Sequence, residues 1–183
     1  MARLLRAASP FGNRRSHEAG GVRLSFRDPG PVTSVAPFRG REEVVAAALG
    51  AALPPPGRTA WLGGALDGAR LFWWGPGRWL LVGREAPAGL EGIAAVVDQG
   101  DGIACAVLDG AGARDVLARL VPLDLRDAAF PDGAVARTLL NHMAVTLSRL
   151  GGAWEVMAPR SMAGTLAEEV EAAMRGVAAR GAA

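Results

Sequence analysis

The 183-residue sequence predicts an α+β fold made of two related split β-α-β-type layers, each carrying an antiparallel hairpin. Three observations predict it. Apolar runs with strand character flank two glycine-rich tips, Gly75-Pro76-Gly77 and Gly151-Gly152. Helical spacing of apolar residues recurs between the strands instead of in one block. Superposing Trp79 on Trp154 also brings Gly77 onto Gly152 and Gly89 onto Gly164, so each half reads as strand-helix-strand-strand-helix. A layer of this kind has one apolar sheet face to cover, and its helices or its twin must cover it.

Taken in order, Val22–Phe26 (VRLSF) alternates like a half-buried strand and is broken by Pro29, Gly30 and Pro31. In REEVVAAALGAAL, Glu42 and Glu43 suit a helix N-terminus, and Pro54–Gly57 (PPPG) is the expected stop because proline cannot donate the next backbone bond. GARLFWW and RWLLVG form the first hairpin. Ile103–Leu108 reads as a buried strand and Gly110–Val121 as a helix with Ala113, Val116, Leu117, Leu120 and Val121 on one face, stopped by Pro122. Val145–Leu150 and Trp154–Met157 form the second hairpin. Thr165 and Glu168 have capping-box spacing ahead of Leu166, Val170, Ala173 and Val177, which predicts a closing helix. The expected organisation is a flexible basic arm (1–21), a first repeat (22–97), a second repeat (98–178) and a tail (179–183).

Composition narrows the function classes. Half of the residues are apolar, yet no uninterrupted run reaches the length of about 18 that a membrane span needs. The pI of about 9.8 suggests nucleic acid, but the formal charge is only +2. All twenty basic residues are arginine and tyrosine is absent, so little titrates between neutrality and the arginine range and the pI overstates the charge. A near-neutral chain offers weak electrostatic drive toward phosphates, so neither nucleic acid nor membrane is an expected partner. Only the arm is locally basic: Arg3, Arg6, Arg14, Arg15, Arg23 and Arg27 face one acid, Glu18, before Asp28. The arm lacks the apolar core of a secretory signal, and the single cysteine suits a reducing compartment, so a cytoplasmic location is expected.

The motifs that could carry chemistry are thin. Cys105 lies in IACAVL, an apolar strand with no base beside it, and reads as a core thiol. DGAGARD (Asp109–Asp115) follows a strand and opens a helix like a dinucleotide fingerprint. It lacks the third glycine and leads into a hairpin instead of a parallel crossover, so its glycines read as a tight helix entry. Asp98 and Asp101 in VVDQGDG lack the ligand ladder of a calcium loop and read as a turn between the halves. His17 and His142 have no zinc-type spacing with cysteine, and His142 reads as structural. Three of the five tryptophans sit in LFWWGPGRWLLVG. Trp73 and Trp74 point to opposite faces of a strand, so both enter a core only if the sheet is covered on both sides; a partner surface is the competing role. Trp73, Trp74 and Arg78 at this hairpin, with Arg14 and Arg15 in the arm, are the candidate partner-interface residues. No catalytic, cofactor-binding or metal-binding residue is assigned.

From Asp98 onward, GARDVLARLVPLDL, AFPDGAVARTLLNHM and VMAPRS followed by a closing helix resemble the gamma subunit of heterotetrameric sarcosine oxidase, and WWGPGRWLLV is similar to that family's first hairpin. The resemblance implies the folate-binding-domain fold of the glycine-cleavage aminomethyltransferase. It also implies a non-catalytic chain that supports the alpha and beta subunits, alpha as the direct neighbour, with delta in the same complex. FAD, FMN, NAD and tetrahydrofolate are implied on the other subunits, in a complex converting sarcosine to glycine, hydrogen peroxide and 5,10-methylenetetrahydrofolate. In the transferase pattern, acidic residues follow the asparagine matched by Asn141. Here His142, Met143, Ala144 and Val145 follow, and the next carboxylate is Glu155, so no acid stands ready to take a substrate proton or balance an iminium cation. The alternative is an autonomous folate-binding or aminomethyltransferase-like protein.

Overall fold

The computed structural model describes residues 8–62 and 68–181; Arg3 and Arg6 of the arm and the last two residues of the tail lie outside them. The strands are β1 (His17–Ala19), β2 (Val22–Arg27), β3 (Val32–Pro37), β4 (Thr59–Leu62), β5 (Ala69–Gly75), β6 (Arg78–Val82), β7 (Ala94–Asp98), β8 (Ile103–Asp109), β9 (Val135–Leu140), β10 (Met143–Leu150) and β11 (Ala153–Pro159). The helices are α1 (Glu42–Leu49), α2 (Ala113–Leu117) and α3 (Ala163–Gly181). The strands form a six-stranded sheet in the order β1-β2-β8-β11-β10-β9 and a five-stranded sheet in the order β4-β5-β6-β3-β7. Every pairing between these strands is antiparallel, and the mixed α and β content matches the predicted class.

The layers follow from strand alternation. On the six-stranded sheet, Leu24, Leu108, Val145, Leu147, Trp154 and Val156 pack with Val116, Leu117, Leu166 and Val170 of α2 and α3. On the five-stranded sheet, Val35, Leu71 and Leu81 pack with Val45 and Leu49 of α1. The opposite faces meet each other: Val32, Phe72, Leu80 and Val82 from one sheet close on Cys105, Val135 and Met157 from the other. The order is helices, sheet, sheet, helix.

The internal repeat is visible as topology. In each sheet a strand, a helix and three further strands recur as β3-α1-β4-β5-β6 and β8-α2-β9-β10-β11. The fifth strands differ in origin: β7 follows β6 in the chain and flanks β3, whereas β2 precedes β3 and flanks β8 of the later repeat. VRLSF, placed in the first repeat by the sequence, therefore completes the sheet of the second. The halves are stitched where β4 and β9 begin. Thr59 donates its N–H to the Gly133 carbonyl at 2.9 Å and Val135 donates to the Gly57 carbonyl at 2.9 Å, around a bridge between Arg58 and Ala134.

Several boundaries differ from expectation for local reasons. Helix α1 ends at Leu49 because Gly50 takes the left-handed conformation (φ 70°) and its N–H bonds back to Ala46 and Ala47, well before the prolines. Helix α2 is a single short segment, with turns from Ala118 to Leu120 in place of its predicted continuation. Thr165 lies inside α3, which is entered from a 3-10 turn at Arg160–Met162, so the predicted capping box is not at the helix start. The first half has no closing helix: turns and irregular chain span Gly83 to Ile93, and buried Leu90 plugs the core there. The arm expected to be flexible as far as residue 21 is packed from Phe11 onward. Phe11 is buried and stacks on Phe26 at 4.3 Å, and β1 pairs with β2. Among the described residues, no helix is long and apolar enough to cross a membrane.

The glycines of DGAGARD have a steric role. A Cβ at Gly112 would lie 2.2 Å from the Gly20 carbonyl oxygen, and one at Gly110 would lie 2.3 Å from that of Gly21, so the entry to α2 and the β1–β2 turn touch backbone to backbone. Gly112→Ala is therefore expected to lower stability by about 2–3 kcal/mol in urea unfolding. Gly164→Ala, where a Cβ in α3 meets nothing, should be neutral or stabilising by up to about 1 kcal/mol.

Candidate functional site

The buried charged side chains among the described residues, Arg70 and Glu155, lie between the two sheets, with Ser34, Thr146 and Ser148 in the same layer. Glu155 on β11 points into this layer because its neighbours Trp154 and Val156 point to the helices. It is 2% exposed, as is Arg70 on β5 of the facing sheet. Arg70 Nη2 donates to both Glu155 oxygens, at 2.8 and 2.7 Å, and Arg27 Nη2 at the end of β2 donates to Oε2. The Cys105 thiol also donates to Oε2, at 3.4 Å. The Arg70 guanidinium lies 5.3 Å from the Phe72 ring centroid, while its Nε finds no partner among the described residues. Two cations on one carboxylate make this a salt-bridge cluster and leave no free base. Burial pushes the Cys105 thiol far above its usual range, the Glu155 carboxylate adds to the shift, and Arg27 offsets only part of it. The sulfur is buried in the core, as the sequence predicted, although the Glu155 carboxylate stands beside it where no base was expected.

A cavity of about 200 Å³ occupies another part of the same layer, lined in part by Trp74, Leu80, Gln99, Arg137, Thr146 and Met157. Trp74 Nε1 donates to Thr146 Oγ1 at 3.2 Å, the Arg137 guanidinium lies over the Trp74 ring at 4.9 Å, and Arg137 Nη1 reaches the Trp74 carbonyl at 3.4 Å. The lining includes no carboxylate among the described residues.

The strand registers relate cavity and cluster. Trp73 pairs with Trp79 and Arg149 with Trp154; Trp79 faces Val35 and Trp154 faces Leu108. Carried along the strands, this correspondence sets Thr146 in the place of Arg70 and Leu80 in the place of Glu155. It likewise sets Val32 in the place of Cys105 and Gln99 in the place of Arg27. The cavity is the twin of the ion cluster, emptied because shorter or neutral side chains stand where the charged ones do. The sequence reading did not find Arg70, Arg27, Gln99 or Thr146. The available signal was a lone arginine in GARLFWW and a lone acid in WEVM, opposite charges in strands otherwise built for a core.

The sequence-predicted interface residues fall on separate layers. Trp73 and Trp74 are half-buried against the inter-sheet core, and exposed Arg78 lies 5.9 Å from the Trp74 ring. Arg14 instead donates to Glu168 at 2.8 Å and Glu171 at 3.3 Å on α3, and Arg15 is exposed nearby in sequence. Trp79 packs on the α1 side and donates to the Pro54 carbonyl, while Trp154 is buried against Phe130. Asn141 forms the β9–β10 turn with φ 50° and donates to Glu169 at 2.8 Å; His142 beside it is exposed. No cluster of three metal-ligating side chains occurs among the described residues.

This arrangement of two packed antiparallel sheets is similar in fold to aminomethyltransferase-type structures. A chain of the heterotetrameric sarcosine oxidase from Corynebacterium sp. U-96 superposes with a TM-score of 0.78 at 24% identity, covering 90% of this chain and 89% of that one. The glycine cleavage system aminomethyltransferase T from Bartonella henselae superposes with a TM-score of 0.61 at 20% identity, over 82% of this chain and 45% of the transferase. No protein-family model matches the sequence. No curated protein matches it either.

Removing one member of the cluster leaves the other charges buried. Glu155→Gln and Arg70→Met are each expected to cost about 3–5 kcal/mol in urea unfolding, and the double substitution Arg70→Met/Glu155→Leu clearly less than the sum. Cys105 should stay unlabelled by a thiol reagent at pH about 8 in the native protein and react fully once unfolded.

Proposed function

We propose that this chain is a non-catalytic subunit of a sarcosine-oxidase-type complex, the small gamma-like companion of larger alpha and beta flavoprotein subunits, working in the cytoplasm. The observation that carries the reading is the reciprocity of the match. The chain and its sarcosine oxidase counterpart cover each other almost end to end, whereas this chain spans less than half of the transferase. The site chemistry supports it. The inter-sheet carboxylate Glu155 is committed to Arg70 and Arg27, and the described cavity lining carries no acid that could accept a proton from an amine or balance an iminium cation. On this reading FAD, FMN, NAD and tetrahydrofolate belong to the partner subunits, and this chain contributes surface. The second reading, an autonomous folate-binding or aminomethyltransferase-like protein, rests on the shared fold and would use the inter-sheet cavity.

The test is purification of the tagged chain from its native cell, with mass spectrometry, an absorbance spectrum and a peroxide assay on the eluate. The expected result is flavin-coloured larger subunits that release hydrogen peroxide when given sarcosine. A colourless chain eluting alone and binding tetrahydrofolate would replace this reading with the second.

A further inference from the structure

The two sheets are alike strand for strand except at one edge. In the six-stranded sheet, β1 pairs along Val22–Leu24 of β2, and α3 packs on β1 and β2 behind it. In the five-stranded sheet, β7 holds the place of β2, with Gln99 matching Arg27, Val96 matching Leu24 and Ala94 matching Val22. Nothing among the described residues pairs with the outer side of β7. Leu24 is 0% exposed beneath β1, whereas its counterpart Val96 is 40% exposed and Val97 is 53% exposed. These two side chains point to opposite faces, Val96 with Val35 on the helix side and Val97 with Ser34 on the inter-sheet side, so neither face blocks the edge.

The backbone is equally open. Gln99 donates to Val32 and Phe38 donates to the Ile93 carbonyl, which fixes residues 93, 95, 97 and 99 as those bonded to β3. Val96 and Asp98 therefore direct their N–H and C=O groups outward. The edge carries none of the usual protections: AAVV holds no charge, proline or bulge before Asp98.

We infer that β7 is a strand-addition site, at which an extended, apolar segment of a partner polypeptide with basic flanking residues takes the place that β1 takes in the other sheet. Outward N–H and C=O groups at every second residue call for an extended backbone, and valines on both faces call for apolar side chains alternating across it. Exposed Asp98 and Asp101 at the C-terminal end, with Glu91 before the strand, call for basic flanks. They also disfavour a second copy of this chain, since self-pairing about Val96 would direct Glu91 of one chain toward Asp101 of the other. The inference rests on the subunit reading for the identity of the partner, but the edge can be tested without it.

The experiment is amide hydrogen exchange on the full chain, with and without a peptide of about seven residues that alternates valine and threonine between terminal arginines. Saturating peptide should slow exchange at Val96 and Asp98 at least about tenfold and leave Ala95 and Val97, already bonded to β3, unchanged. Val96→Pro deletes an outward N–H without removing a bond to β3, so it should keep the wild-type urea midpoint while losing the peptide effect and weakening assembly with co-purified partners at least about tenfold. Unchanged exchange at Val96 with peptide, or partner assembly indifferent to Val96→Pro, overturns the inference and leaves the subunit reading standing. A concentration-dependent dimer abolished by Val96→Pro assigns the edge to a second copy and also overturns it. If the tagged chain elutes alone, the subunit reading fails and the peptide measurement still decides this one.

Discussion

The structure depends on closing two sheets against each other with a carboxylate sealed between them. Glu155 belongs to one sheet and Arg70 to the other, so their paired hydrogen bonds join layers that otherwise meet through non-directional apolar contact. Apolar burial supplies the attraction but tolerates sliding, whereas a two-oxygen grip by a fixed guanidinium does not. A buried ion pair contributes little net stability compared with apolar residues of the same size, and what this one adds is a directional bond between β5 of one sheet and β11 of the other. Arg27 and Cys105 complete the shell around the carboxylate and bring the β2 and β8 strands into the same constraint.

The pseudo-symmetry gives that constraint its meaning. Two equivalent sheets create two equivalent places in the layer between them, and the sequence has treated them differently. One place holds the ion cluster. The other holds Thr146, Leu80 and Gln99, and is a cavity. The same divergence recurs at the periphery: one sheet is finished by β1 and a long helix, while the other ends in a turn segment and an open edge.

Much of the fold was legible because it was written in local signals. The hairpins β5–β6 and β10–β11 announce themselves by glycine tips between apolar strands, α3 by its period, and Cys105 by its apolar run. Strand β3 was hidden by prolines on both sides, and β4, β7 and β9 are short or lie among glycine, proline and acid that read as turn. The placement of β2 could not be read from pattern at all, since alternation shows that a strand is half-buried and not which sheet accepts it. The site was least legible. Arg70 and Glu155 lie 85 positions apart, and only the packing of sheet on sheet makes them partners.

The reciprocal bonds between Gly57–Thr59 and Gly133–Val135, with β2 crossing into the later sheet, also govern how the chain reaches this state. As the polypeptide is synthesised, β1 and β2 precede the five-stranded sheet, yet β2 pairs with β8, which is made after that whole sheet. The five-stranded sheet can form around α1 while the inner face that will hold Arg70 is still wet. The earliest segment must meanwhile wait as an unpaired hairpin, exposed to whatever else can bind an extended chain. The two halves are thus not modules that fold in turn. The β1–β2 segment finds its place in the sheet only after β8 has been made, and the interior polar cluster forms only once β11 supplies Glu155.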